Sequence, residues 1–163
     1  MRQTDNQQAT PDFALGWIAA IIEGEGTIGC YPSFDKRTQA KYYKPLIRIF
    51  NTDSRIIEST HKYLQILDIP HHIGKSRVTF KGKPCRPCYA VRIEGVKRCY
   101  YALPKLLPAL YAKRRQAELL LEICELRLLK PMTYRNQARE WVGRELDLII
   151  QIKAENQGSP QRL

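Results

Sequence analysis

The segment Ile21–Gly29 runs IIEGEGTIG and admits two incompatible interpretations. Its glycines at 24, 26 and 29 have the G-x-G-x-x-G spacing of a nucleotide-binding loop, whereas Glu23 and Glu25 form a candidate pair of metal-binding carboxylates. A dinucleotide loop needs a strand before its glycines and a helix after them, because the helix N-terminus holds the pyrophosphate. Here the order is reversed. Thr10, Pro11 and Asp12 supply a cap, a first-turn proline and a first-turn acid. Phe13 to Ile22 is then apolar or small throughout, which predicts a helix buried on every side. The glycines therefore open a helix C-terminus, whose dipole repels phosphate and favours cations. Gly24 and Gly26 let the chain turn out of that helix. One pair of acids is too few for a hard-metal cage, so phosphate oxygens and water would complete a Mg²⁺ shell.

Working outward, Gly16, Ala19, Ala20 and Glu23 follow i, i+3, i+4, i+7 spacing and share one face. Such a face suits either a close helix-to-helix seam or packing against a sheet. Downstream, TIGCYPSF and YYKPLIRIF predict two strands, and Arg77–Phe80 and Tyr89–Ile93 two more. Their alternation gives antiparallel strands with one apolar and one basic face. Asp53–Leu67 reads as a helix between the strand pairs. A further strong helix is expected from Leu103 to Leu129, interrupted or capped at Pro104 and Pro108, and another from Tyr134 to Asn156. The expected organisation is a polar tail over 1–9, one α+β domain over 10–156 and a tail over 157–163.

No apolar run approaches the ~18 residues of a membrane span. The polar start MRQTDNQQATPD lacks a hydrophobic signal region, so an intracellular protein is expected. Five cysteines at irregular spacing form no disulfide framework and fit a reducing compartment. The net charge of +11 is concentrated: fifteen Lys or Arg face four acids between Lys36 and Arg98, and the rest of the chain carries twelve of each. A basic surplus gathered in one segment points to a polyanion, with nucleic acid the first candidate.

The segment Ile18–Gly26, IAAIIEGEG, resembles the LAGLIDADG motif of homing endonucleases, with Glu at both Asp positions and Ala20 at the usual Gly. With chain length, element order and basic strands, the resemblance spans roughly residues 12–130. It implies an αββαββα core with a four-stranded antiparallel DNA-binding sheet and extra C-terminal helices. Two motif helices, one from each of two identical subunits, would pack on the face of Gly16, Ala19, Ala20 and Glu23. Each sheet would form half of a saddle over double-stranded DNA with a long pseudo-palindromic target, and the two Glu25 side chains would meet over the minor groove.

By the same resemblance the protein would be a site-specific endonuclease of a mobile intron. It would use Mg²⁺, or another divalent ion such as Mn²⁺, to leave short 3′ overhangs, in an organelle (chloroplast or mitochondrion) or a prokaryotic cytoplasm. An RNA maturase acting on intron RNA, or a non-cleaving DNA-binding protein, is the alternative on this scaffold. A basic structural RNA-binding protein would explain the charge but not Glu-Gly-Glu-Gly behind a small-faced helix.

The resemblance assigns metal binding to Glu25, with Gly24 beside it, and a bracing role to Glu23. Glu is one methylene longer than Asp, which bears on the metal position. A polar pocket around the attacking water would draw on Asn51, Arg55 and Lys113. The register at the strand end is open by a residue or two, so Asp53 competes with Asn51, and either could simply cap a helix. Solvated charge is the competing reading of Arg55 and Lys113, and for Lys113 the functional reading is preferred. Candidates for DNA contact on the strands and their loops are Tyr31, Ser33, Lys36, Arg37, Lys41, Tyr43, Lys44, Arg48, Lys75, Arg77, Thr79, Lys81, Lys83, Arg86 and Arg92. Those on strands would read bases in the major groove, and loop lysines such as Lys83 would hold phosphates. Cys85 and Cys88 have zinc-like spacing, with His71 and His72 as possible companions, but no second such pair follows, so a hairpin with chance cysteines is expected. His61 reads as structural.

Overall fold

A computed structural model describes residues 9–36, 39–76, 79–80, 83–84, 88–129 and 141–157. The order is α1 (Pro11–Glu25), β1 (Gly26–Asp35), β2 (Ala40–Asn51), α2 (Ser54–Ile66), β3 (His72–Ser76), β4 (Thr79–Phe80), β5 (Lys83–Pro84), β6 (Cys88–Glu94), α3 (Val96–Leu106), a 3-10 turn (Leu107–Ala109), α4 (Arg114–Leu129) and α5 (Arg144–Gln157). Four strands form one antiparallel sheet in the order β1-β2-β6-β3, and β4 pairs only with β5.

α1 begins as its residues dictate. The Thr10 hydroxyl accepts from the Phe13 amide at 3.3 Å, and Pro11 occupies the first turn, where its missing N–H costs nothing. The helix ends at Gly26, which turns into β1. A Cβ there would lie 2.6 Å from the Ile22 carbonyl oxygen, so only glycine fits. The expectation of burial on every side needs correcting. Ala14, Ile18, Ala19 and Ile22 face the core, but Phe13 is 55 % exposed and Gly16, Ala20 and Gly24 are also open. The described residues cover only one side of this helix.

The pleat sorts each strand onto two faces. Ile28, Ile47, Ile49, Val91 and Ile93 face the helices and meet Ile18, Ile22, Leu64, Leu103, Leu120 and Ile123 in one buried core. Burying side chains of this size contributes roughly 1.5–3 kcal/mol each. The opposite face carries no helix among the described residues. Pro45 is tolerated in β2 because pairing with β6 begins only at Leu46; its carbonyl accepts from the Gly95 amide at 2.9 Å.

Three expected elements differ. The fourth strand of the large sheet is His72–Ser76, with Ile73 opposite Val91; of the expected strand Arg77–Phe80, Thr79–Phe80 pairs with Lys83–Pro84 and the first two residues lie outside the described residues. The long helix from Leu103 is two helices. α3 already starts at Val96 and runs through Pro104 to Leu106, and a 3-10 turn containing Pro108 separates it from α4. In the last helix, Trp141 precedes α5 and is buried beside it; residues 134–140 of the expected span lie outside the described residues. No described helix is long and apolar enough to cross a membrane.

Candidate functional site

The C-terminus of α1, the ends of β1 and β2 and the start of α4 converge at one end of the sheet. Two reciprocal sets of hydrogen bonds join α1 to α4. The Glu23 carboxylate accepts from the backbone amides of Tyr111 (2.8 Å) and Lys113 (3.2 Å), which lead into α4. In return, Lys113 Nζ donates to the backbone oxygens of Ile22 (2.7 Å), Glu23 (2.9 Å) and Gly26 (2.7 Å). Backbone oxygens where α1 passes into β1 are thus held by a cation, the Ile22 oxygen also accepting from the Gly26 amide, and amides leading into the next helix are held by an anion. Burial lowers the Lys113 pKa below its usual value, while the carboxylates of Glu23 and Glu25 oppose that shift. The three protons of the Lys113 ammonium are therefore committed to the backbone, which is a capping geometry.

Glu25, by contrast, is exposed at the last position of α1 and has no hydrogen bond or ion pair among the described residues. Its free carboxylate is a hard oxygen donor at the negative end of a helix, the right chemistry for a divalent cation. It is not a complete site, since no group of three or more His, Cys, Asp or Glu side chains is placed to hold a metal among the described residues. Gly24 lies in the helix and not in the turn, and a Cβ built on it would meet nothing within 4 Å. The same is true of Gly16.

At the end of β2, both candidates for the polar position are present, in different roles. Asn51 Oδ1 accepts from the Asp53 amide at 2.8 Å. Asp53 caps α2 by accepting from the Arg55 amide at 2.9 Å, and it holds the Arg55 guanidinium at 2.6 to 3.2 Å. Arg55 holds the Asp53 carboxyl down to about 2. Asp53 is thus the helix cap, and the Asn51 amide nitrogen has no partner among the described residues. Gly26 pairs with Ile49, so Asn51 lies at the β2 end beside the exit of α1.

The open sheet face receives some of the strand candidates and not others. By alternation Tyr31, Ser33, Lys44, Arg48 and Arg92 lie on it. Lys44 is paired with Glu94 at 3.3 Å. Tyr43 points the other way: its ring meets Trp141 at 5.7 Å with Lys153 over it. Lys41 and Lys75 share that side, and Lys75 sits 5.7 Å from the Tyr89 ring. Lys36 is exposed in the turn after β1. Arg37, Arg77, Lys81 and Arg86 lie outside the described residues, as do the side chains of Thr79 and Lys83.

On α1, Gly16 and Ala20 are exposed, whereas Ala19 is 4 % exposed in the subunit's own core and Glu23 is engaged with α4. The open stripe is therefore Gly16, Ala20 and Gly24, at i, i+4, i+8. Cys85 is outside the described residues. His71 is not poised for a metal either: its Nδ1 is 2.7 Å from the Ile69 carbonyl and its Nε2 is 2.7 Å from His61 Nδ1. Sequence reasoning missed Phe50, which supports Arg48, although its alternation with Arg48 was visible. The amide of Tyr111 left no signal, because any residue can supply a backbone N–H.

No known family profile and no curated protein sequence matches the chain. Solved structures do. The homing endonuclease I-CvuI, in complex with an I-CreI target in the presence of 2 mM Mg and with the DNA not cleaved, superposes with a TM-score of 0.63 at 18 % identity over 94 % of this chain and 87 % of that one. The LAGLIDADG homing endonuclease I-LtrWI bound to target DNA gives 0.59 at 13 % identity, over 89 % of this chain and 45 % of that one. I-GzeII with its DNA target gives 0.56 at 12 %, over 91 % and 45 %. The fold is that of the LAGLIDADG homing endonucleases.

Proposed function

We propose that the protein is a site-specific DNA endonuclease that works as a homodimer and uses divalent cations bound at Glu25. The observation that carries this reading is the unequal use of the two motif carboxylates. Glu23 is consumed in fastening α1 to α4, and Glu25 is left free and exposed beside it. A purely structural helix end has no use for the second acid, which lies where the dipole disfavours an uncompensated anion.

Pairing of two copies is supported by the open stripe on α1. Glycine inside a helix costs roughly 1 kcal/mol relative to alanine, and neither Gly16 nor Gly24 has a neighbour in the subunit that requires it. Small residues at i, i+4, i+8 permit a second backbone to approach closely. This chain also spans nearly all of I-CvuI but 45 % of I-LtrWI and I-GzeII, as one half of a two-part unit would. Two copies would bring two Glu25 carboxylates together, and phosphate oxygens and water would fill the remaining ligand positions.

Each residue then has a task. Glu25 of each subunit would hold the ion against the phosphate to be cut. When bound, the ion neutralises charge on the phosphate and stabilises the leaving 3′ oxygen. Asn51 would orient water through its free amide nitrogen. Arg55 is exposed and can exchange Asp53 for a phosphate. Lys113 holds the α1 end that carries Glu25.

The test uses the intron-less insertion site, read from the sequence flanking the gene. With Mg²⁺ the protein should make one double-strand cut with short 3′ overhangs, and Glu25→Gln should abolish cutting while leaving DNA affinity nearly intact. Absence of any cut on that site would overturn the proposal. Retained intron splicing by the same variant would favour the maturase reading.

A further inference from the structure

The open sheet face carries an arrangement that folding alone disfavours. Arg48 and Arg92 are directly opposite each other on the two central strands, β2 and β6. Like charges at opposed positions destabilise a sheet, and neither arginine has an ion-pair partner among the described residues. Both are half-buried, and the Nε of each is buried without a hydrogen-bond partner.

The surroundings hold these side chains in place. The Arg48 guanidinium lies 4.3 Å from the Phe50 ring centre and 5.8 Å from that of Tyr31. Tyr31 can reach it because its ring lies over Gly29, where a Cβ would come within 3.0 Å of the ring. Arg92 leans over the small residues of the next row: its Nη2 is 3.8 Å from where a Cβ on Gly74 would be, and Gly74 pairs with Ala90. Phe50 and Gly74 belong to the row nearer the Asn51 end of β2. Both guanidiniums therefore lean toward the end that holds Glu25.

With Nε sealed in each case, the usable donors are Nη1 and Nη2. That pair matches the N7 and O6 acceptors of guanine in the major groove, the commonest specific arginine contact. The cross-strand row Thr27, Arg48, Arg92, His72 spans three strand spacings, roughly 14 Å, close to the ~12 Å width of that groove. Opposed Cβ atoms about 5 Å apart set the two forks on base pairs one or two steps from each other.

Resting on the reading of the open face as the DNA-binding surface, we infer that Arg48 and Arg92 are the specificity-determining residues nearest the cut, each reading one guanine in the half-site. The stacking of Arg48 on Phe50 and the buried Nε of both arginines favour bases over phosphates, which flexible loop lysines serve as well.

The experiment is selection of duplexes from a randomised library by the full-length protein, with Ca²⁺ replacing Mg²⁺. Selected half-sites should carry guanine at two positions one or two steps apart, at a fixed distance from the centre. Arg48→Gln should erase the preference at one of them and Arg92→Gln at the other, each by about 10- to 100-fold. Arg48→Lys, which keeps the charge, should lose the preference as fully as Arg48→Gln. Replacing the selected guanine with 7-deazaguanine should weaken the wild type and leave the matching variant unchanged. If the variants bind all sequences equally more weakly, with guanine preference intact, the arginines hold phosphate and the inference is overturned. If the wild type selects no sequence at all, the proposed endonuclease function fails instead.

Discussion

Lys113→Met is the most informative single change, because it removes the ammonium and keeps most of the aliphatic stem. Three charge-assisted bonds at 2.7, 2.9 and 2.7 Å would be lost. At about 1.5–3 kcal/mol each, their ceiling is roughly 5–9 kcal/mol. Two effects reduce it. The Ile22 oxygen keeps its bond from the Gly26 amide, and the exposed end of α1 admits water to the other carbonyls. The cost of burying the ammonium, seen in its lowered pKa, also disappears.

A net loss of about 2–3 kcal/mol follows, or roughly 4–12 °C in Tm for a chain of this size. Urea unfolding and a thermal melt measure it. A cycle with Glu23→Gln should show coupling of about 1 kcal/mol, since the two side chains close one clamp. Because burial lowers the Lys113 pKa, the unfolded chain binds more protons between the folded value and 10.5. Wild-type stability should therefore gain with rising pH across that window, and the variant should lack the gain. Stability within about 0.5 kcal/mol of wild type, with cleavage lost, would refute the capping role and return Lys113 to the water pocket.

Three further outcomes are expected. Ala20→Glu should give a folded monomer by sedimentation, since Ala20 is exposed on the open stripe of α1; a dimer surviving the change would remove the seam from that helix. The Asp53 carboxyl, at about 2, should stabilise α2 above its usual 3.8 and lose that effect as pH falls through about 2. In Arg55→Ala an NMR titration should place it between those values, because the backbone bond from residue 55 remains. Cys30 and Cys99, pushed up to about 12 by burial, and Cys124, pushed up as well, should resist iodoacetamide in the native protein and react once it unfolds. Rapid native modification of any of the three would contradict the packing of the core.

Much of the candidate site was legible because its signals are local. Thr10-Pro11-Asp12 starts a helix by capping chemistry, and Glu-Gly-Glu-Gly ends one, whatever surrounds them. Alternation in Leu46–Phe50 and Tyr89–Ile93 marked two strands, since a period of two survives in any sheet. Where a signal depended on a partner, the sequence misled. Thr79 and Phe80 read as part of a strand of the large sheet, but the strand paired with β6 is His72–Ser76. Tyr43 and Lys75 carry polar groups as Arg48 does, yet the pleat turns them to the helix side.

The helix that ends in two acids, the antiparallel strands and the basic surplus follow from the order of residues, because periodicity, capping and charge are properties of chain neighbours. The tertiary structure alone decided which acid is free. Glu23 is bound because α4, some ninety positions later, brings two amides to it, and Lys113 is a cap because three carbonyls converge on its ammonium. It likewise decided that two arginines stand side by side on adjacent strands, since a hydrogen-bonded register joins residues with no proximity in the chain.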